Sequence, residues 1–156
     1  MRSKTCCLTG HRELVWYQKW KIYKRTEQAI EEHIQKGYLY FGTGGALGFD
    51  TIGAKAVLKL KKQYPAIRLI LVLPCYDQEK YWKRRDIAVY QKIKGQADKV
   101  VYTSEKYRPG CMHKRNRHLV ENSSACICYL IKECGGTFYT VSLARSLGLS
   151  VVNVAL

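Results

Sequence analysis

The sequence predicts a three-layer α/β/α domain on an open, mainly parallel sheet, and three observations lead to it. Strand-length apolar runs recur six times, stretches with helical apolar spacing separate them, and two of the runs are apolar at consecutive positions instead of alternating. A helix-length connection is what parallel neighbours require, so repeated strand-helix-strand alternation implies parallel pairing with right-handed crossovers. The two consecutive runs, Leu69 to Leu73 and Cys126 to Leu130, have the pattern of strands covered by helices on both faces, which places them at or near the centre of the sheet.

In chain order, the first strand spans Lys4 to Thr9. Trp16 to Arg25 mixes Trp16, Tyr17, Trp20 and Tyr23 with four basic residues, and reads either as the beginning of the first helix or as a flap; Ile30 and Ile34 carry the helical spacing. The second strand, Tyr38 to Gly42, is followed by a glycine-rich loop and a helical run from near Thr51 through Ile52, Ala56 and Leu60. The third strand is Arg68 to Leu73, and Ile87, Tyr90 and Ile93 mark the next helix. The fourth, Lys99 to Tyr102, leads to a helix on which Met112, Arg115 and Leu119 share a face. The fifth, Ala125 to Leu130, precedes a helix with Val141, Ala144 and Leu147, and Ser150 to Val154 is the sixth strand. The expected result is a Rossmann-like sheet in a single domain over residues 1–156, with no repeat, low-complexity tract or linker.

The chain has 156 residues, 47% of them apolar and 25% charged, the composition of a folded domain that can stabilise itself by its core alone. No apolar run approaches the roughly 18 residues of a membrane helix, and the first residues lack a secretory signal, so a cytoplasmic protein with no membrane partner is expected. Seven cysteines without a Cys-x-x-Cys pair argue for reduced thiols rather than a disulfide framework or a zinc ribbon. His113 and His118, five apart, do not have metal-ligand spacing, and no metal site is expected. The formal net charge is +15, concentrated between residues 55 and 117, where 17 basic side chains face 5 acidic ones, so anionic partners are expected.

In open α/β sheets ligands sit beyond the carboxyl ends of the strands, near the point where strand order reverses. The residues following the strands are Thr9-Gly10-His11-Arg12, then Gly42 to Asp50 with Gly44, Gly45 and Gly48, then Leu73 to Gln78, then Thr103 to Asn116, then Cys134-Gly135-Gly136-Thr137. Glycines and polar side chains thus gather at one edge. Glycine lets a ligand approach the backbone, and a helix start offers unpaired N–H groups to an anion, so two glycine-rich helix starts are expected to hold two phosphates, or a phosphate and a ribose. Asp50 is an alternative N-cap for its helix and Thr137 for the last one. Arg12 and Arg115 suit phosphate. His11 is read as a sugar contact or acid/base, or else as a loop histidine bonded to backbone. Cys75 has no partner base and reads as packing. The loop matches neither Gly-x-Gly-x-x-Gly nor a P-loop, so neither a dinucleotide dehydrogenase nor an NTPase is indicated.

Thr9-Gly10-His11-Arg12, Gly44-Gly45-Ala46-Leu47-Gly48-Phe49-Asp50, Gln78 with Trp82, Met112 with Arg115-Asn116, and Gly135-Gly136-Thr137 with Ala144 together resemble the YpsA-like family of the bacterial SLOG superfamily. The resemblance runs in order over nearly the whole chain. It implies a Rossmann-like fold and a pocket for a nucleotide or nucleotide-derived ligand such as ADP-ribose, NAD or a nucleoside monophosphate, in a sensor or regulatory protein that needs no other cofactor. Within the superfamily, LOG phosphoribohydrolases use an arginine on the fourth helix, matched here by Arg115, and a glutamate where this chain has Thr140. That departure favours ligand binding over N-glycosidic hydrolysis, for which Arg115 and Asp50, with Asp77 as another acid, are the weak candidates. DprA proteins of the superfamily bind single-stranded DNA. The corresponding basic set here is Lys80, Lys83, Arg84, Arg85, Lys92 and Lys94 along one side of the third helix, with Tyr81 and Trp82 for stacking. A homo-oligomer is left open.

Overall fold

The computed structural model describes residues 1–155. Six strands alternate with five α-helices: β1 Thr5–Gly10, α1 Lys19–Gln35, β2 Tyr40–Thr43, α2 Phe49–Gln63, β3 Arg68–Leu73, α3 Arg84–Gln96, β4 Lys99–Tyr102, α4 Cys111–Glu121, β5 Ala125–Tyr129, α5 Gly135–Ser146 and β6 Ser150–Asn153. The strand order is β4-β3-β2-β1-β5-β6, and every pair is parallel. β1 and β2 are the central strands, with β3 and β5 one step outward on either side.

The alternation of side chains along each strand builds the three layers. Cys6, Leu8, Ala125, Ile127 and Tyr129 face one side and join Ile22 and Ile30 of α1, Val57 of α2 and Tyr90 of α3. Cys7, Cys126 and Cys128 face the other side, against Leu119 and Val120 of α4 and Val141 and Ala144 of α5. Cys7 stands opposite Cys126 in register. Cysteine here acts as a small apolar residue that lets two helices lie close to the sheet. Burial pushes the Cys128 thiol up to about 11 and raises Cys6 as well.

α1 forms because Ile22, Thr26, Ala29, Ile30 and His33 recur at helical spacing and are its buried residues. His33 donates from Nδ1 to the Ala29 carbonyl at 2.7 Å, which satisfies its buried ring. The segment from Trp16 is therefore the beginning of the first helix: a single 3₁₀ turn, Trp16–Gln18, runs into α1. Boundaries shift by a residue or two elsewhere. β1 includes Gly10, β2 begins at Tyr40 and extends to Thr43, β5 ends at Tyr129 and β6 at Asn153. α2 begins at Phe49, so Gly48 occupies the N-cap position and Asp50 lies inside the first turn. Among the described residues no helix is long and apolar enough to cross a membrane.

Candidate functional site

The chain steps outward from β1 through β2 and β3 to β4, then returns to lay β5 on the opposite side of β1. The connections leaving β1 and β5 consequently diverge, and a crevice is left between them. A cavity of about 510 Å³ occupies this position, walled by Thr9 and Gly10 at the end of β1 and His11 to Glu13 after it, Ile131, Lys132 and Cys134 to Thr137 after β5, and Ala46, Asp50, Met112, Arg115 and Asn116. Nine of the residues singled out in the sequence are brought together here: Thr9, Gly10, His11, Arg12, Asp50, Arg115, Gly135, Gly136 and Thr137. The other five, Gly42, Gly44, Gly45, Gly48 and Gln78, stand behind the wall.

Arg115 forms the floor. It is buried, with 5% of its surface exposed. It donates from Nε to Asn116 Oδ1 at 2.8 Å and from one terminal nitrogen to the Gly44 carbonyl. The other terminal nitrogen meets only the Met112 sulfur, at 3.6 Å, and a thioether is a weak acceptor. Among the described residues no carboxylate lies within ion-pair distance of it. Burial disfavours the guanidinium charge, and the nearby Asp50 carboxylate is the main influence supporting it. A buried cation with unused donors on a cavity wall is suited to an anionic ligand.

The glycine-rich loop after β2 is engaged by the protein's own groups. Phe49, the first residue of α2, donates its N–H to the His11 carbonyl at 3.1 Å. The buried Asp50 carboxylate accepts the Ala46 N–H at 3.1 Å. The start of α2 thus already has an internal anion beside it. Burial pushes the Asp50 carboxyl above its usual range, against the pull of Arg115. Gly44 seats the Arg115 guanidinium, Gly45 approaches Leu73 and Gln78, and Gly48, at φ +79°, presses on the Arg12 carbonyl. Gln78 donates to the Gly44 and Gly45 carbonyls at 3.4 Å and to the Tyr90 hydroxyl at 3.2 Å, holding the loop in place. Gly42 is buried in β2 against Leu119 of α4. These residues position Arg115 and Asp50.

The start of α5 is the open one. Nothing lies within 4 Å of a side chain built on Gly135 or Gly136, and Thr137 sits inside the first turn, with Cys134 at the N-cap position. The unpaired N–H groups of that turn border the cavity together with Lys132. Thr140 is buried and donates its hydroxyl to the Gly136 carbonyl at 2.7 Å. The carboxylates on the cavity wall are Asp50 and Glu13; Asp77 is exposed elsewhere. His11 ties the two connections together, since its Nε2 accepts the Ile131 N–H at 2.9 Å and its ring packs edge-on against Tyr129. That bond assigns the ring proton to Nδ1. Burial, with Lys132 nearby, lowers its pKa and keeps the imidazole neutral.

Sequence reasoning missed Glu13, Ile131 and Lys132 on this wall, and named Ala46 and Cys134 within their loops without counting them as ligand residues. Ile131 and Lys132 follow β5 directly and were discoverable by reading the connection from its first residue. Cys75 is buried, as packing requires, while Cys134 is the exposed cysteine. The basic set of residues 80–94 does not form one side of a helix. Lys80 and Lys83 precede α3, Trp82 packs edge-on against Tyr90, and Lys94 leans over Tyr90 and Tyr102. The reason is the apolar surface of the two tyrosines, which takes up Trp82 and the Lys94 stem.

Comparison with known proteins agrees with this architecture. The model of the YspA SLOG family matches residues 6–146. The chain is 30% identical over 138 residues to the SPbeta prophage-derived protein YoqJ of Bacillus subtilis (strain 168), covering 80% of this chain and 81% of that one. It is 29% identical over 123 residues to a UPF0398 protein of Bacillus pumilus, covering 78% of this chain and 64% of the relative. Among solved structures, DNA processing protein A of Helicobacter pylori, described for its single-stranded DNA binding mode, superposes with a TM-score of 0.67 at 21% identity, over 94% of this chain and 63% of that one. DprA of Streptococcus pneumoniae does so with a TM-score of 0.68 at 17% identity, over 96% and 49% respectively. The chain therefore spans between half and two thirds of these DprA proteins, and the likeness to them is one of fold.

Proposed function

The chain belongs to the YspA SLOG family, and from that premise we propose that it binds a nucleotide or nucleotide-derived ligand, of the ADP-ribose, NAD or nucleoside monophosphate kind, in the cavity between the β1 and β5 connections. The observation that carries this reading is the convergence, at the point where strand order reverses, of an open helix start and a buried arginine with unused donors. A phosphate at the start of α5 would take the N–H groups of Gly135 to Thr137, with Arg12 and Lys132 beside it. Arg115 would contact a second phosphate or a ribose oxygen. Binding is preferred to hydrolysis because Thr140 stands where LOG proteins carry a glutamate and is turned to the Gly136 carbonyl. The product of such a site is a liganded state, which is what a sensor or regulator reports.

Thermal denaturation with millimolar ADP-ribose, NAD or AMP tests this. A ligand at 100 times its Kd adds about 2.7 kcal/mol, or roughly 5 to 10 °C in Tm for a chain of this size. Gly136→Asp puts a carboxylate in the open first turn, where it suits the helix and repels an anion. The variant is expected to keep the unliganded Tm and lose the ligand shift. Absence of any shift in the natural protein, or an undiminished shift in the variant, overturns the proposal.

A second reading rests on the +15 charge and on the single-stranded DNA binding of the Helicobacter pylori neighbour. It requires affinity for an oligonucleotide that falls steeply with salt. No retardation of the oligonucleotide at about 50 mM salt removes it.

A further inference from the structure

α2 and α3 lie side by side on the outer face of the sheet without closing on each other. Between them runs a trough made of two cavities, about 710 Å³ near the start of α2 and about 410 Å³ farther along, which share Lys55 and Val89. Its floor is aliphatic: Ile52 and Leu58 from α2, Val89 and Ile93 from α3. Its rims are basic, with Lys55 and Lys62 on α2 and Arg85 and Lys92 on α3. Each pair is seven residues apart, two helical turns, so it recurs on one face of its helix about 10 Å along the axis. Among the described residues no carboxylate pairs with any of these four.

Lys59, between the α2 pair, turns away to Glu27 of α1 at 2.8 Å and over the Tyr23 ring. The two carboxylates that border the trough, Glu13 and Asp86, are both at the end nearest the start of α2. Over the rest of its length the trough combines the half-buried aliphatic side chains of Leu58 and Val89, above buried Ile93, with unpaired cations. Burying the first and pairing the second are both favourable.

From this arrangement we propose that the α2–α3 trough docks an acidic amphipathic helix of a partner protein. Aliphatic anchors at i, i+3 or i+4 and i+7 would lie on the partly exposed Ile52, Leu58 and Val89, and flanking carboxylates would meet the rims. α2 is 15 residues long, about 22 Å, which sets the docked segment at roughly 12 to 15 residues. The aliphatic floor favours this occupant over single-stranded nucleic acid, whose bases stack on aromatic side chains that the lining of the trough lacks. The surface is distinct from the β1/β5 cavity, and its test does not depend on a ligand there.

The probe is a fluorescein-labelled peptide of about 15 residues with leucines at i, i+4, i+7 and i+11 and glutamates flanking them, titrated with the full chain by anisotropy. Two competitors accompany it: a scrambled peptide of identical composition, and a single-stranded oligonucleotide. Micromolar binding is expected, at least about tenfold weaker for the scrambled peptide, and lost in the double variant Lys55→Glu, Lys62→Glu. Both lysines are exposed, and an unchanged Tm of the variant shows that the fold is kept. The proposal is overturned if the peptide does not bind, if the scrambled peptide binds equally, or if the oligonucleotide binds more tightly than the peptide and is lost in the same variant. The last result would make the trough a nucleic-acid surface.

Discussion

Gly48 and Gly136 look alike in the sequence, each a glycine at the start of a helix, and the structure gives them opposite requirements. Gly48 holds φ +79°, and a methyl group there would fall inside contact distance of the Arg12 carbonyl. Gly136 has ordinary helical backbone and open space around it. Gly48→Ala is expected to cost about 2 to 3 kcal/mol, or roughly 5 to 10 °C in Tm. Gly136→Ala is expected to leave Tm unchanged or raise it slightly, because alanine has the better helix propensity. Thermal melts of the two variants check this, and an equal loss at both positions would contradict it. Composition flagged both glycines. That Gly48 meets the Arg12 carbonyl, far away in sequence, while Gly136 meets nothing, was illegible.

At the scale of the element, the order of strands and helices was readable because β-branched and aromatic runs alternate with 3.6-residue periodicity. The function of a helix start was not. α2 follows Gly48 and α5 begins with Gly135 and Gly136, yet only the α5 glycines have open space around them, while the Phe49 N–H at the start of α2 is taken by the His11 carbonyl. Phe49 is the anchor. It is fully buried, stacks on Tyr129 at 6.1 Å and fills the space above Gly10, while its N–H meets the His11 carbonyl. It thereby joins α2 to both connections that bound the cavity. Phe49→Ala is expected to cost about 3 to 5 kcal/mol, read as a lower urea midpoint. An effect below about 1 kcal/mol would show that the helix start is held by other contacts. Gly10 has a packing requirement of its own here, since any side chain on it would displace Phe49.

For the whole molecule, the cavity's location follows from one topological event, the return of the chain across β1 after β4. Sequence alone told that a reversal must occur somewhere along an open sheet and that polar residues cluster at its carboxyl edge. It did not tell which pair of strands flanks the reversal, since strand order is decided by packing of the layers. The same holds for charge. The +15 excess was plain, whereas the placing of its residues around the β1/β5 cavity and the α2–α3 trough required the helices in place.

Titration of the ¹⁵N-labelled full chain with AMP tests the central claim most directly. The expected result is saturable movement of the Gly135, Gly136 and Thr137 amide signals, downfield as they gain a phosphate acceptor, together with those of Gly10 to Arg12, while the amides of α3 stay in place. Saturable shifts confined to Gly44–Gly48 or to the α2–α3 trough, or no shift with millimolar AMP, would contradict it.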